Sequence, residues 1–337
     1  MKLSFVIPAY NEEAYLPKCL EAVLVEKKKG KYDIEIIVVN NASTDSTRQV
    51  ALSYPEVIVV DEPKKGLSSA RQAGFMVATG DLIANIDSDS ILTPNWTDKV
   101  MKAFTKKPNL VALSGPFIYH DLSIFSNFLV RIQYNIDYVF YVIHRFILRN
   151  SSLLQGGNFV IRKIYLDQIG GFNTAFVFWG EDTNIAKRLH PLGPVVFTFK
   201  LPIYSSGRRL KKEGFLTMCY KYSVNYFSTI IFDKPFSTSY LDIRHAKHKQ
   251  EFFKTNLASF NKALLYSKLS FVFIIFSLMG GSVYMYNRAI DTLLPATAMA
   301  SVVTIKDHPV LSKVHNSIVK IKEKVKTLEE EFESNDN

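Results

Sequence analysis

The sequence predicts an α/β protein, a Rossmann-like, doubly wound and mostly parallel sheet followed by a helical C-terminal extension. Two observations predict it. Five short runs are almost wholly apolar, as strands covered on both faces must be, and stretches of helical period separate them. A third observation says where the chemistry lies: in IANIDSDSIL the fourth run ends in two carboxylates, Asp87 and Asp89. In open α/β sheets ligands bind at that end of the strands.

LSFVIPA reads as the first strand, and residues 11–25 as a helix with Leu16, Leu20, Val23 and Leu24 on one face. IEIIVVN (34–40) is the second strand, followed by a helix over 45–54 that opens in the capping-type cluster STDS. VIVVD (57–61) is the third strand, and 67–78 a helix. LIANID (82–87) is the fourth, after which Thr93 and Pro94 suit the N-cap and first position of a helix running to about Lys106. LVALSG (110–115) is the fifth. Residues 117–149 are aromatic and aliphatic with scattered charges, and helices are expected there. Residues 158–172 read as a strand and short helix, and 180–193 as a helix stopped by Pro191 and Gly193. The organisation expected is a catalytic domain over 1–213, a helical, membrane-proximal segment over 214–263, a candidate membrane-embedded helix over 264–288, and a linker with an amphipathic helix over 289–337.

Leu269–Tyr286 is an uncharged run of eighteen residues bracketed by Lys268 and Arg288. At about 1.5 Å per residue it spans roughly 27 Å, enough for a hydrocarbon core; a buried core helix or an interfacial one is the alternative. Leu311, Val314, Ile318, Ile321, Val325, Leu328 and Phe332 form a heptad seam, suited to self-association or to folding back as an amphipathic helix. The opening MKLSFVIPAYNEE is too short in its apolar run for a signal peptide, so the catalytic part is expected in the cytoplasm, associated with membrane.

The formal charge of +10 suits an anionic surface or a phosphorylated substrate. No nucleic-acid recognition motif accompanies it, and nucleic acid is not expected as a partner. Cys19 and Cys219 have neither metal nor disulfide spacing. Neither a GxGxxG fingerprint nor a GxxxxGK[ST] loop is present, which excludes dehydrogenase-type dinucleotide binding.

Asp87 and Asp89, two apart in extended chain, lie on one face and suit magnesium, manganese or calcium held directly or through water. An Asx turn before a helix is the plainer reading of the same residues. Glu181 and Asp182 in GEDTN suit a helix N-terminus, or a general base that takes a proton from a hydroxyl. Arg71 in KKGLSSARQAG suits a phosphate or ribose. Arg208, Arg209, Lys211 and Lys212 suit a solvated face, a phosphate clamp or lipid headgroups.

Six blocks in this order, FVIPAYNEE, VVNNASTDST, KGLSSARQAG, NIDSDS, GGNFVIRKIYLDQIGGFN and GEDTNIAKRL, resemble the family 2 inverting glycosyltransferases of the GT-A fold, over residues 3 to about 212. The resemblance implies a nucleotide-sugar donor (a UDP- or GDP-sugar) and a divalent cation, Mg²⁺ or Mn²⁺. By motif position, Pro8, Ala9, Tyr10 and Glu12 would line the nucleotide pocket, Asn41 would meet the base, and Arg71 and Asp87 would approach the nucleotide. Asp89, with Asp87 beside it, would contact the metal; Asp182 would be the base with Glu181 adjacent. Asn40 and Asn41 stand where many members carry aspartates, which bears on donor identity. The Gln-x-x-Arg-Trp block of processive synthases is missing, which implies transfer of a single sugar. The acceptor expected is a lipid-linked or cell-envelope glycan. A catalytically silent nucleotide-sugar-binding or scaffold homologue is the competing class.

Overall fold

The computed structural model describes residues 1–148 and 152–244, with side chains described through 146 in the first stretch. The uncharged run Leu269–Tyr286 and the heptad seam lie outside the described residues. Among the described residues no helix is long and apolar enough to cross a membrane.

The elements in chain order are β1 (Leu3–Ala9), α1 (Leu16–Lys28), β2 (Ile34–Asn40), α2 (Thr47–Leu52), β3 (Val57–Asp61), α3 (Leu67–Val77), β4 (Leu82–Ile86), β5 (Ile91–Leu92) and α4 (Trp96–Lys106). There follow β6 (Ala112–Ser114), β7 (Phe117–Tyr119), α5 (Ile124–Val142) with a π-helical turn over Ile143–Leu148, β8 (Asn158–Arg162) and α6 (Lys163–Gln168). α7 (Glu181–Leu189), β9 (Val195–Phe197), β10 (Ile203–Ser205), α8 (Arg208–Glu213) and α9 (Phe215–Phe232) complete it.

The main sheet runs β3-β2-β1-β4-β8-β6-β9. It is parallel except for β8, which lies antiparallel to both β4 and β6. Strand alternation sends Phe5, Ile7, Ile36 and Val38 to one face, where Leu16, Leu20, Trp96, Val100 and Tyr134 of α1, α4 and α5 cover them. Val6, Ile37 and Val39 point to the other face, under Ala70, Phe75, Ile185 and Leu189 of α3 and α7. This two-sided burial is why β1, β2 and β4 read as nearly continuous apolar runs. β3, at one edge, is the most open of the strands in this sheet.

Two sequence expectations need correction. The helix expected to open at Thr93 begins instead at Trp96, capped by Asn95 in the left-handed region (φ 61°). The Thr93 hydroxyl is committed elsewhere, donating to the Pro202 carbonyl at 2.6 Å. The segment 117–149 is not wholly helical: Phe117–Tyr119 joins β10 in parallel, and β5 joins the other edge of β10 antiparallel, making a second, three-stranded sheet. Met1–Thr255 clusters as one compact unit. Within it α9 packs on α7: Thr229 fills the space beside Gly180 at the start of α7, and Lys187 of α7 reaches the Ile230 carbonyl at 2.9 Å.

Candidate functional site

The candidate site gathers at the carboxyl ends of β1 and β4. Strand β4 delivers Asp87, and the turn beyond it delivers Asp89. The small sheet then brings a distant cation to them. β5 pairs with β10 through Ile91 and Tyr204, and the chain leaving β10 turns at Gly207 into α8. Arg208 consequently lies 3.1 Å from Asp89 Oδ2 and also meets the Glu12 carboxylate.

Glu12 follows β1 and is almost completely buried. Its backbone N–H donates to Thr47 Oγ1 at 2.7 Å, and its Oε1 also accepts from Arg244 Nε at 2.7 Å. Glu12 Oε2 has no hydrogen-bond partner. Pro8 and Ala9 are buried in β1, with the Ala9 carbonyl accepting from Asn41 N–H at 2.8 Å. Tyr10 is half-buried, and Lys65 Nζ sits 3.8 Å from its ring centroid.

Asn41 and Arg71, both expected at the nucleotide, are held by the protein itself. Asn41 donates its amide to the carbonyls of Glu62 and Lys64 (3.1 and 2.8 Å) and accepts from Gly66 N–H at 2.8 Å, so its side chain orders the 62–66 loop. Arg71 is fully buried and so is not a solvated helix residue. Its guanidinium meets Glu181 and lies 3.3 Å from Asp87 Oδ1, with its Cζ 5.1 Å from the Phe159 ring centroid. Arg71 thus fastens the end of β4 to the start of α7.

That fastening separates the two acids of GEDTN. Gly180 in the left-handed region (φ 74°) opens α7. Glu181 turns inward as a counterion of Arg71, and burial pushes its carboxyl up to about 7 although Arg71 opposes the rise. Asp182 is half-buried and has no ion-pair partner among the described residues. It accepts from Gly156 N–H at 3.1 Å and Thr183 N–H at 2.8 Å. Burial raises its carboxyl above the ordinary range, while those two backbone donors restrain it.

The Gly156–Gly157 turn was missed as a site element, though the pair is plain in QGGNF. Gly157 adopts φ +85°, and a Cβ there would collide with the Asp87 carboxylate. At Gly156 a Cβ would press on Glu181 Oε1 and Asp182 Oδ2. Arg244 was missed as well, because nothing in the local pattern ties it to a residue more than two hundred positions earlier. Arg209 does not reach the acids; it pairs with Glu213 at 2.7 Å and lies over Phe178, 4.6 Å from the ring centroid.

Asp89 is pushed up to about 7, chiefly by burial, with Arg208 lowering it and Asp87 adding to the rise. Glu12, Asp87, Asp89, Glu181 and Asp182 are five carboxylates facing the guanidiniums of Arg71, Arg208 and Arg244. With all of them ionised, two negative charges are left over, the charge of one divalent cation. Among the described residues no group of three or more His, Cys, Asp or Glu side chains is arranged to hold a metal. As oxygen donors, Asp87 and Asp89 are of the type that suits a hard dication such as Mg²⁺ or Mn²⁺.

Comparison with known proteins points the same way. Residues 4–170 match the glycosyl transferase family 2 description, and residues 145–208 match the N-terminal domain of galactosyltransferase. The dolichyl-phosphate beta-glucosyltransferase ALG5A of Trichomonas vaginalis is 38% identical over 126 residues, 34% of this chain and 39% of that protein. Glycosyltransferase GlyA of Streptococcus pneumoniae is 27% identical over 124 residues, 36% of this chain and 17% of that protein. The chain thus spans well under half the length of these two curated relatives. A mannosyltransferase of Pyrobaculum calidifontis, solved with GDP-Man and Mn²⁺, superposes with a TM-score of 0.51 at 18% identity, over 68% of this chain and 64% of that one.

Proposed function

The chain belongs to glycosyl transferase family 2 through residues 4–170 and has the GT-A fold, and on that premise we propose that it moves a single sugar from a nucleoside-diphosphate sugar to an acceptor hydroxyl with inversion. The observation that carries the mechanism is the division of labour between neighbours: Glu181 is spent on Arg71, whereas Asp182 is half-buried and held only by neutral donors, the N–H groups of Gly156 and Thr183 and the Thr183 hydroxyl.

Asp182 takes the proton of the acceptor hydroxyl, and the oxygen attacks the anomeric carbon from the face opposite the diphosphate. The bond between that carbon and the diphosphate oxygen breaks, and the electron pair leaves with the nucleoside diphosphate. One displacement inverts the configuration. A raised Asp182 carboxyl is a better base than an ordinary aspartate, since basicity follows pKa. Asp87 and Asp89 would hold the divalent cation, which supplies charge stabilisation to the departing diphosphate. Arg208, already beside Asp89, is in position to add a second positive charge there. Support for a nucleotide-sugar and a divalent ion comes from the mannosyltransferase complex with GDP-Man and Mn²⁺. The name of the dolichyl-phosphate relative is in keeping with a lipid-linked acceptor.

Asp182→Asn keeps the size of the side chain and removes the base. It is expected to bind a nucleotide-sugar as the parent does, read by calorimetry, while transfer falls by about 10²–10⁴-fold. Transfer at the parent rate in that variant would dispose of Asp182 as the base.

A further inference from the structure

Helix α5 is apolar on the wrong side. Its inner face is accounted for by Val130, Tyr134 and Tyr141, which enter the core. A surface helix ordinarily presents polar side chains opposite such a face. Here the exposed positions are Ile124, Phe125, Phe128, Arg131, Ile132, Asn135 and Val139. At 3.6 residues per turn these fall within one strip about a third of the helix circumference wide. Ile124 is 92% exposed, Phe125 69% and Phe128 56%. The strip's only charge is Arg131; the acid of this helix, Asp137, lies on another side and accepts from Gln133 at 2.8 Å.

A cationic element adjoins the strip's N-terminal end. Leu122 packs against Gly207, and Lys211 Nζ lies 3.2 Å from Asp121 Oδ2, which sets α8 with its exposed Lys211 next to the segment leading into α5; Lys212, also exposed, donates to the Ile243 carbonyl at 2.6 Å.

We propose that the outer strip of α5, with Arg131 and the α8 lysines, docks on an anionic lipid bilayer. Phenylalanine and isoleucine enter the acyl boundary while the lysines and Arg131 meet the headgroups, the pattern of a helix lying in an interface. Charge selects this occupant over a second copy of the chain. Two copies laid strip to strip would bring Arg131 against Arg131 with no acid on either strip to receive it. The sequence after Arg244 is consistent with a bilayer nearby, since the uncharged run Leu269–Tyr286 starts 25 residues beyond it. Because α8 also carries Arg208, a bilayer on this face would lie next to the acids of the candidate site. The inference needs no turnover and stands apart from the transferase reading.

The test uses the full chain carrying Phe128→Trp. The native Trp96 and Trp179 are buried, so the added indole reports on α5. With phosphatidylglycerol vesicles whose acyl chains are brominated, its emission should shift to the blue and be quenched; with phosphatidylcholine vesicles both effects should be weaker. Phe125→Asp with Phe128→Asp should reduce co-sedimentation with anionic vesicles while nucleotide binding stays at the parent level. Unquenched emission from protein that sediments with the vesicles overturns the proposal, because contact is then made elsewhere. Protein that fails to sediment overturns it too, as does a concentration-dependent blue shift without lipid, which assigns the strip to a second copy.

Discussion

Gly157 shows how much of the site depends on the lack of a side chain. At φ +85° with the Asp87 carboxylate against its α-carbon, it meets two conditions that exclude any other residue. Gly157→Ala is therefore expected to push Asp87 off Arg71. Metal-supported nucleotide affinity should fall at least about tenfold, the usual scale for a disturbed ligand shell, while thermal unfolding changes by only a few degrees. Calorimetric titration of the variant with Mn²⁺ and nucleoside diphosphate checks this; parent affinity would show that the Asp87 position is immaterial. The acids themselves were legible because paired carboxylates at a strand end are conspicuous in sequence. Arg71 was legible as a residue but not in its role: KGLSSARQAG has no feature that says whether its guanidinium faces solvent, ligand or acid. Burial against Glu181 and Asp87 is a tertiary fact.

Among elements, β1 to β4 were readable to within a residue, since β1, β2 and β4 are buried on both faces and therefore mostly apolar, whereas the three-residue β9 was not foreseen. The small sheet was not. β5 is two residues long, β7 and β10 three each, too short for any period to declare itself. Yet those strands carry Arg208 to Asp89. What holds them to the main sheet is Asn158, the first residue of β8. Its amide donates to the carbonyls of Gly115 and Leu201, at 2.9 Å each, and its Oδ1 accepts from Trp96 Nε1 at 3.1 Å. Every partner is buried, so Asn158→Ala leaves a buried indole N–H and two carbonyls unsatisfied. A loss of about 2–4 kcal/mol is expected. Urea unfolding should show it, and a loss below about 0.5 kcal/mol, the range of ordinary surface substitutions, would mean that the hub does not join the sheets.

Across the whole molecule, the site collects side chains from residue 12 to residue 244, and that gathering offsets three of its five carboxylates. Arg208 on Asp89 and Arg71 on Asp87 mean that a dication arrives at acids already partnered. The burial that lifts Asp89 to about 7 fixes the sign of the pH response. Its folded carboxyl lies above the ordinary value of 3.8, so in the ligand-free protein the stabilisation from proton uptake is full below about pH 4 and disappears as pH rises through about 7. A cation needs the ionised form and must expel that proton. In the presence of nucleoside diphosphate, Mn²⁺ affinity should therefore fall about tenfold for each pH unit below about 7 and level off above it. Paramagnetic resonance of free Mn²⁺ between about pH 5.5 and 8.5 measures this directly. Asp89→Asn is the necessary companion, because the diphosphate titrates too: the variant should bind more weakly and lose the part of the slope that belongs to Asp89. An identical slope in parent and variant would place the titrating group on the nucleotide and remove Asp89 from the cation's surroundings.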